Sequence, residues 1–256
     1  MAPSILITGG TGTLGRRVTP LLRAAGCELR VLSRTGRAPG DGIEYVTGDL
    51  ARGDGVAAAV DGAETVLHLA GGPKGDDVAA RTLVRALRGS GVRHLVYISV
   101  IGADRVPVAW FRRKLAAEQE VAGSGVPWTT LRAAQFHTLT FSAVRKMAGM
   151  PVLPVPGGLR FEPVDAGDVA RRLADLALAA PAGLVPDLAG PRVYGLGELA
   201  EGYLAARGRR RMRLPVRIPG KAGRAYRAGD NLARPGADRG ERTWEEYLAE
   251  RLSQDG

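Results

Sequence analysis

The chain has 256 residues, 45% of them hydrophobic and 24% charged, enough to bury the core of one large α/β domain or two small ones. No run approaches the ~18 uninterrupted apolar residues of a membrane span, the lone cysteine (Cys27) excludes an internal disulfide, and His68, His94 and His137 are too scattered to hold a metal. The formal net charge of +10 is local: residues 207–234 hold ten Arg or Lys against Asp230 alone, with only Tyr226 as a stacking aromatic, so neither a nucleic-acid nor a membrane partner is expected.

Ser4–Thr8 reads as an apolar strand near the first residue, so no signal or transit peptide and a cytoplasmic location are expected. The strand runs into Gly9-Gly10-Thr11-Gly12-Thr13-Leu14-Gly15, and an amphipathic helix with Val18, Leu21, Leu22 and Ala25 opens behind it, near 13–25. Glycine serves three purposes in such a loop. It permits a sharp turn, it lets backbone N–H groups approach a pyrophosphate, and it lets the helix pack close to the strand. The spacing Gly9-x-x-Gly12-x-x-Gly15 differs from the better-known G-x-G-x-x-G, but the strand before it and the helix after it give it the setting of a dinucleotide-binding loop.

Further strands follow at Glu28–Ser33, Glu44–Thr47, Thr65–Leu69, Leu95–Ser99 and Trp128–Arg132, with helical stretches near 54–60, 76–89, 110–123 and 136–148 between them. Gly26, Gly62, Gly89 and Gly125 stand just past helix ends, as C-terminal caps do. This alternation predicts a Rossmann-type, doubly wound parallel sheet of order 3-2-1-4-5-6, with its ligand across the carboxyl edge. Beyond residue 150 the pattern changes. Pro151–Gly158 is rich in proline and glycine, and helices are expected near Gly167–Ala180 and Gly197–Ala206 with a short strand near Val185–Leu188. A last helix, Thr243–Leu252, has Thr243 as its cap and Glu246 three residues on. The expected organisation is a Rossmann core over 1–150 and a small C-terminal, substrate-covering subdomain over 151–256, packed as one folding unit.

In combination these residues resemble the atypical short-chain dehydrogenase/reductases, in particular the NmrA-like NAD(P)-binding branch. The resemblance rests on the Thr8–Gly15 loop, Gly48-Asp49-Leu50, His68-Leu69-Ala70-Gly71, Tyr97-Ile98-Ser99 and Lys114-Leu-Ala-Ala-Glu118. It extends through Ser124-Gly-Val-Pro-Trp128, Leu131-Arg132, Gln135-Phe136-His137 and Pro163-Val-Asp-Ala-Gly-Asp168. The resemblance implies a nicotinamide cofactor held by Gly9, Thr11, Gly12, Thr13, Leu14 and Gly15, adenine contacts at Asp49 and Leu50, and close approach at Ala70 and Gly71. Where cofactors lacking a 2′-phosphate are usually held by a carboxylate, this chain reads Val31-Leu32-Ser33-Arg34. A guanidinium takes a phosphate bidentately, so Arg34 points to NADP(H), with Arg37 or Arg16 as helpers.

Reductases of this kind carry a Tyr-x-x-x-Lys helix and a serine at the end of the fifth strand. Ser99 and Lys114 stand at the matching positions as catalytic candidates, and Lys114 also as a cofactor contact. The tyrosine position, however, holds Trp110, whose indole N–H is no proton donor near neutral pH. Trp110, Gln135, Phe136 and His137 are the substrate-side candidates. The leading expectation is an NADPH-dependent oxidoreductase acting on a small quinone or carbonyl compound, with Lys114 or a water as the acid. The alternatives are a non-catalytic NADP(H)-binding redox sensor or regulator, and an enzyme whose acid lies elsewhere, at His137 or Tyr97.

Overall fold

The computed structural model describes residues 2–38, 40, 42–72 and 74–254. In chain order it forms β1 (Ser4–Thr8), α1 (Gly15–Ala24), β2 (Glu28–Ser33), β3 (Ile43–Thr47), α2 (Val56–Val60), β4 (Thr65–His68), α3 (Asp76–Leu87) and β5 (His94–Val100). Next come α4 (Ala109–Ala122), β6 (Trp128–Ala133), α5 (His137–Ala148), β7 (Val152–Pro156), β8 (Arg160–Phe161), α6 (Ala166–Leu178) and β9 (Gly183–Leu184). The chain ends with β10 (Leu188–Ala189), β11 (Tyr194–Gly195), α7 (Leu196–Ala206), β12 (Met212–Val216), α8 (Gly220–Ala228), β13 (Asp238–Arg239) and α9 (Trp244–Ser253). The six strands expected before residue 150 are all present, within a residue or two at each end.

Residue contacts divide the chain into two compact units. The first takes 1–99, 109–132 and 169–185. Its strands lie in the order β3-β2-β1-β4-β5-β6, as the alternation of strand and helix predicts. β1 pairs in parallel with β2 on one side and with β4 on the other. The winding therefore reverses at β1, and the loop that leaves its carboxyl end opens at the switch point where such sheets bind ligands. Ile5, Leu6, Ile7 and Thr8 are all fully buried, as expected of a central strand covered on both faces. Leu6, Leu32, Val66, Leu83, Leu95 and Tyr97 belong to the core cluster of this unit. Between α4 and β6, Arg132 and Glu118 form a buried bidentate pair, with N–O distances of 2.9 and 2.7 Å.

The second unit takes 100–108, 133–168 and 186–256. Its core gathers Phe141 and Val144 of α5, Leu153 of β7, Tyr203 and Leu204 of α7, and Trp244 and Tyr247 of α9. Thr243 caps α9 by accepting the Glu246 amide while Glu246 takes the Thr243 amide, the capping box expected from the sequence. The division does not follow the single cut at residue 150. Segments 100–108 and 133–150 belong to the second unit, and most of α6 belongs to the first. The strand expected at Val185–Leu188 is two strands, split where Pro186 supplies no N–H. β9 pairs with Thr129 and Thr130 of β6, whereas Leu188 pairs with Ala133 and β10 pairs with β13. The basic segment is also more regular than expected, since it contains β12 and α8.

Candidate active site

The loop after β1 can be built only with glycine at two places. Gly9 adopts φ +73°, and a Cβ there would lie 2.6 Å from the Ala70 amide nitrogen. A Cβ on Gly15 would lie 2.3 Å from the Gly10 Cα, so the first turn of α1 closes directly on the loop. Gly12 N donates to Gly9 O at 2.9 Å, and Arg16 Nε and Arg17 Nη1 hold Thr11 O and Thr13 O, each at 2.8 Å. Among the described residues no acceptor takes the amides of Thr13 and Leu14, and the first turn of α1 has no acidic side chain. Free amides, a helix N-terminus and no competing carboxylate make a seat for a pyrophosphate.

Arg34 follows β2 at the same edge, exposed and with no partner among the described residues. Ser33 Oγ donates to Thr35 O at 2.9 Å, so its hydroxyl is spent on the turn that presents Arg34. The other two arginines are less free. Arg16 is tied to the loop carbonyl, and Arg37 lies over the Tyr45 ring at 5.8 Å. Asp49 is half-buried, and its carboxylate accepts the Ala51 amide at 2.8 Å. Leu50 is in the core, so its side chain is committed to packing.

At the ends of β4 and β5 a polar cluster forms inside the first unit. Lys114 is 8% exposed, with Nζ 3.2 Å from Asp76 Oδ2 and 3.4 Å from both Tyr97 OH and Ile98 O. Asp76, at the start of α3, is 3% exposed and takes the Gly72 amide on its other oxygen at 2.7 Å. Gly71 runs beside both, since a Cβ there would sit 3.2 Å from Lys114 Nζ and from Asp76 Oδ1. Ser99 is buried, and its Oγ has no hydrogen-bond partner among the described residues. An orphaned buried hydroxyl and a narrow glycine strip beside a fixed ammonium fit a flat polar ring and its ribose. Trp110 is half-buried and edge-on to Phe111, with ring centroids 4.9 Å apart.

Tyr97 cannot replace the missing tyrosine. It is 1% exposed, and burial, followed by the charges of Asp76 and Glu118, pushes its phenol above the ordinary range. It stacks on His68 with ring centroids 5.3 Å apart. His68 is itself fully buried, with Nδ1 2.6 Å from Thr8 Oγ1, and burial together with the Lys114 charge lowers its pKa to about 3. His68 is thus a neutral core group. His137 belongs to the second unit, 1% exposed and 3.8 Å from Asp165, with its ring 5.0 Å from that of Tyr247. Gln135 and Phe136 of the same unit are half-buried, the latter as the N-cap of α5. The residue missed in the sequence is Asp76. Its only local signal is a carboxylate in the first turn of a helix, which the helix dipole explains without reference to Lys114, 38 positions later.

A family model for NAD(P)H-binding proteins matches residues 9–179. The chain is 35% identical over 175 residues to (4-alkanoyl-5-oxo-2,5-dihydrofuran-3-yl)methyl phosphate reductase of Streptomyces griseus, covering 65% of this chain and 60% of that one. It therefore spans less than two thirds of that relative's length. To the NAD(P)H azoreductase of Xenophilus azovorans it is 28% identical, over 80% of this chain and 74% of the relative. Among solved structures, the NADPH complex of an NADPH-dependent quinone oxidoreductase from Escherichia coli superposes with a TM-score of 0.83 at 20% identity, covering 97% and 99% of the two chains. Triphenylmethane reductase from Citrobacter sp. gives 0.80 at 19%, covering 98% and 99%. These two likenesses establish the Rossmann-type fold. The family match covers more than half of the chain and contains the glycine loop, Arg34, Asp76, Ser99 and Lys114: the chain belongs to the NAD(P)H-binding family, as its resemblance to atypical short-chain dehydrogenase/reductases implied.

Proposed function

We propose that this protein is an NADP(H)-dependent oxidoreductase that reduces a small, electron-poor acceptor of the quinone or carbonyl type. The observation that carries the reading is Lys114, an almost fully buried ammonium fixed by Asp76, Tyr97 OH and Ile98 O beside the glycine strip at Gly71. Burying a lysine is costly unless it is paired and used. The glycine loop would hold the pyrophosphate, Arg34 the 2′-phosphate, and Lys114 the ribose next to the nicotinamide. When bound, that nicotinamide supplies the two electrons and the hydrogen to be transferred. The protein orients the acceptor, donates a hydrogen bond from Ser99 Oγ, and stabilises developing negative charge on the acceptor oxygen with Lys114.

Trp110 shapes the choice of acceptor. Without a phenol at that position, rapid protonation of an alkoxide has no dedicated donor, so acceptors whose reduced form is a delocalised anion are favoured. The quinone oxidoreductase and azoreductase among the similar proteins reduce acceptors compatible with this pattern. The same Trp110 supports a second reading, an NADP(H)-binding regulator without turnover.

Side-by-side titration with NADPH, NADP⁺ and NADH tests the cofactor, with tight NADPH and weak NADH expected. NADPH oxidation driven by a soluble naphthoquinone then tests the chemistry. Lys114→Met combined with Asp76→Asn leaves no unpaired buried charge, and it is expected to lower turnover about 10²-fold or more while NADPH still binds. A fully NADPH-loaded protein inert toward quinones and carbonyl compounds would establish the regulator instead.

A further inference from the structure

The two-stranded ribbon formed by β7 and β12 in the second unit presents an apolar face to solvent. Its parallel register sets Met212 against Val152, Leu214 against Pro154 and Val216 against Pro156, so these six side chains share one face. On the opposite face Leu153 of β7 is fully buried in the core, whereas Arg213 and Pro215 of β12 are exposed, so β12 projects from the unit with both faces open. Met212 is 76% exposed, Leu214 54% and Ile218, just beyond the strand, 38%. Single exposed apolar residues are ordinary, but three along seven residues of one ribbon form a patch.

The charge around that patch is of one sign. Arg209, Arg210, Arg211 and Arg213 line a cleft of about 590 Å³ beneath the ribbon, in which Glu201 is the sole acid. Glu201 is taken by Arg213 at 2.8 Å. Arg209, Arg210 and the exposed Arg217 have no acidic partner among the described residues, and Arg211 Nε is buried without a hydrogen-bond acceptor. An unfilled guanidinium nitrogen and unpaired neighbours call for an anion.

Against the expectation from composition that no membrane partner exists, we propose that the β7–β12 ribbon docks this protein on an anionic lipid surface, with Met212, Leu214 and Ile218 entering the headgroup–acyl boundary and the arginines engaging lipid phosphates. Three features select a bilayer. Apolar and cationic residues alternate almost one by one from Arg211 to Ile218 with no acid among them, the composition that seats in the interface of an anionic bilayer. A second copy of the chain would bring two like-charged segments together. A nucleic-acid backbone would leave Met212 and Leu214 without an apolar partner and would find no exposed aromatic to stack on, since Tyr226 is half-buried. A bilayer supplies both chemistries at once. The association is peripheral, because no helix among the described residues is long and apolar enough to cross a membrane.

The test is co-sedimentation of the full-length protein with vesicles of phosphatidylcholine alone and with 30% phosphatidylglycerol. Partitioning at least tenfold stronger onto the anionic vesicles is expected, weakening as salt is raised. Met212→Asp combined with Leu214→Asp, and separately Arg209→Glu combined with Arg210→Glu, are each expected to reduce it at least tenfold. Unchanged thermal unfolding in both variants shows that the fold is intact. Equal partitioning onto both vesicle types, or full binding by the Met212/Leu214 variant, overturns the proposal. So does tight binding of a DNA duplex by that variant with no vesicle binding by the parent.

Discussion

Arg34→Ala separates a cofactor-selecting arginine from one that merely adds charge. The side chain is exposed and makes no hydrogen bond or ion pair with a described residue, so its removal is expected to leave folding stability within about 0.5 kcal/mol. Any larger effect of its removal is then to be read on ligand affinity. A hydrogen bond to a charged group contributes about 1.5–3 kcal/mol, and at a solvated, salt-screened position the lower part of that range applies, about 1.5–2 kcal/mol. With tenfold in Kd per about 1.4 kcal/mol, NADPH affinity should fall roughly 10- to 30-fold. NADH lacks the phosphate and should bind as before. Fluorescence titration of both cofactors against parent and variant reads the two constants directly, and repeating it at high salt should shrink the gap for the parent. Equal weakening for NADPH and NADH would refute the reasoning, as would unchanged NADPH binding.

Glu118→Ala removes the bidentate carboxylate partner of the buried Arg132, and should cost about 3–5 kcal/mol in chemical denaturation, far more than replacing both partners together. His68 couples stability to acid. Its folded pKa of about 3 lies below the unfolded value near 6.5, so its contribution is complete above pH 6.5 and is lost as pH falls toward 3. Between pH 7 and pH 5 that loss is on the order of 2 kcal/mol, and His68→Gln should remove this part of the pH dependence in denaturation curves recorded at both values. Gly15→Ala places a Cβ against the Gly10 backbone and should abolish cofactor binding or folding, whereas Gly26→Ala, where a Cβ meets nothing, should cost only the strain of its positive φ. Comparable behaviour of the two variants would contradict the close approach of loop and helix.

The parallel strands were legible because each is a short apolar run closed by a turn residue, and the glycine loop because its sterics leave no alternative to glycine. Legibility failed where pairing is long-range. Nothing near Pro186 announces that the two sides of one short apolar stretch join strands in different units. Pro215 hides β12, since a proline inside an alternating run reads against a strand, and the arginines around it read as loop. Lys114 was readable from its helix, but its ion-pair partner was not, because Asp76 reads as an ordinary helix-start carboxylate. Leu50 shows the converse: a residue placed on the cofactor by resemblance is held in the core by its side chain.

The interleaving of the two units has a consequence for how this chain can be cut. The backbone passes from one unit to the other five times, at 99, 108, 132, 168 and 185. A fragment ending at residue 150 would lose β9, which pairs with β6, and the fully buried Val169, Ala170 and Leu173 of α6. It would keep α5 without β7, α7 and α9, which share its core. Neither half is therefore a transferable module. Recombination that exchanged residues 151–256 as one contiguous piece would break both units, which leaves point substitution and loop insertion as the routes by which this scaffold can be altered.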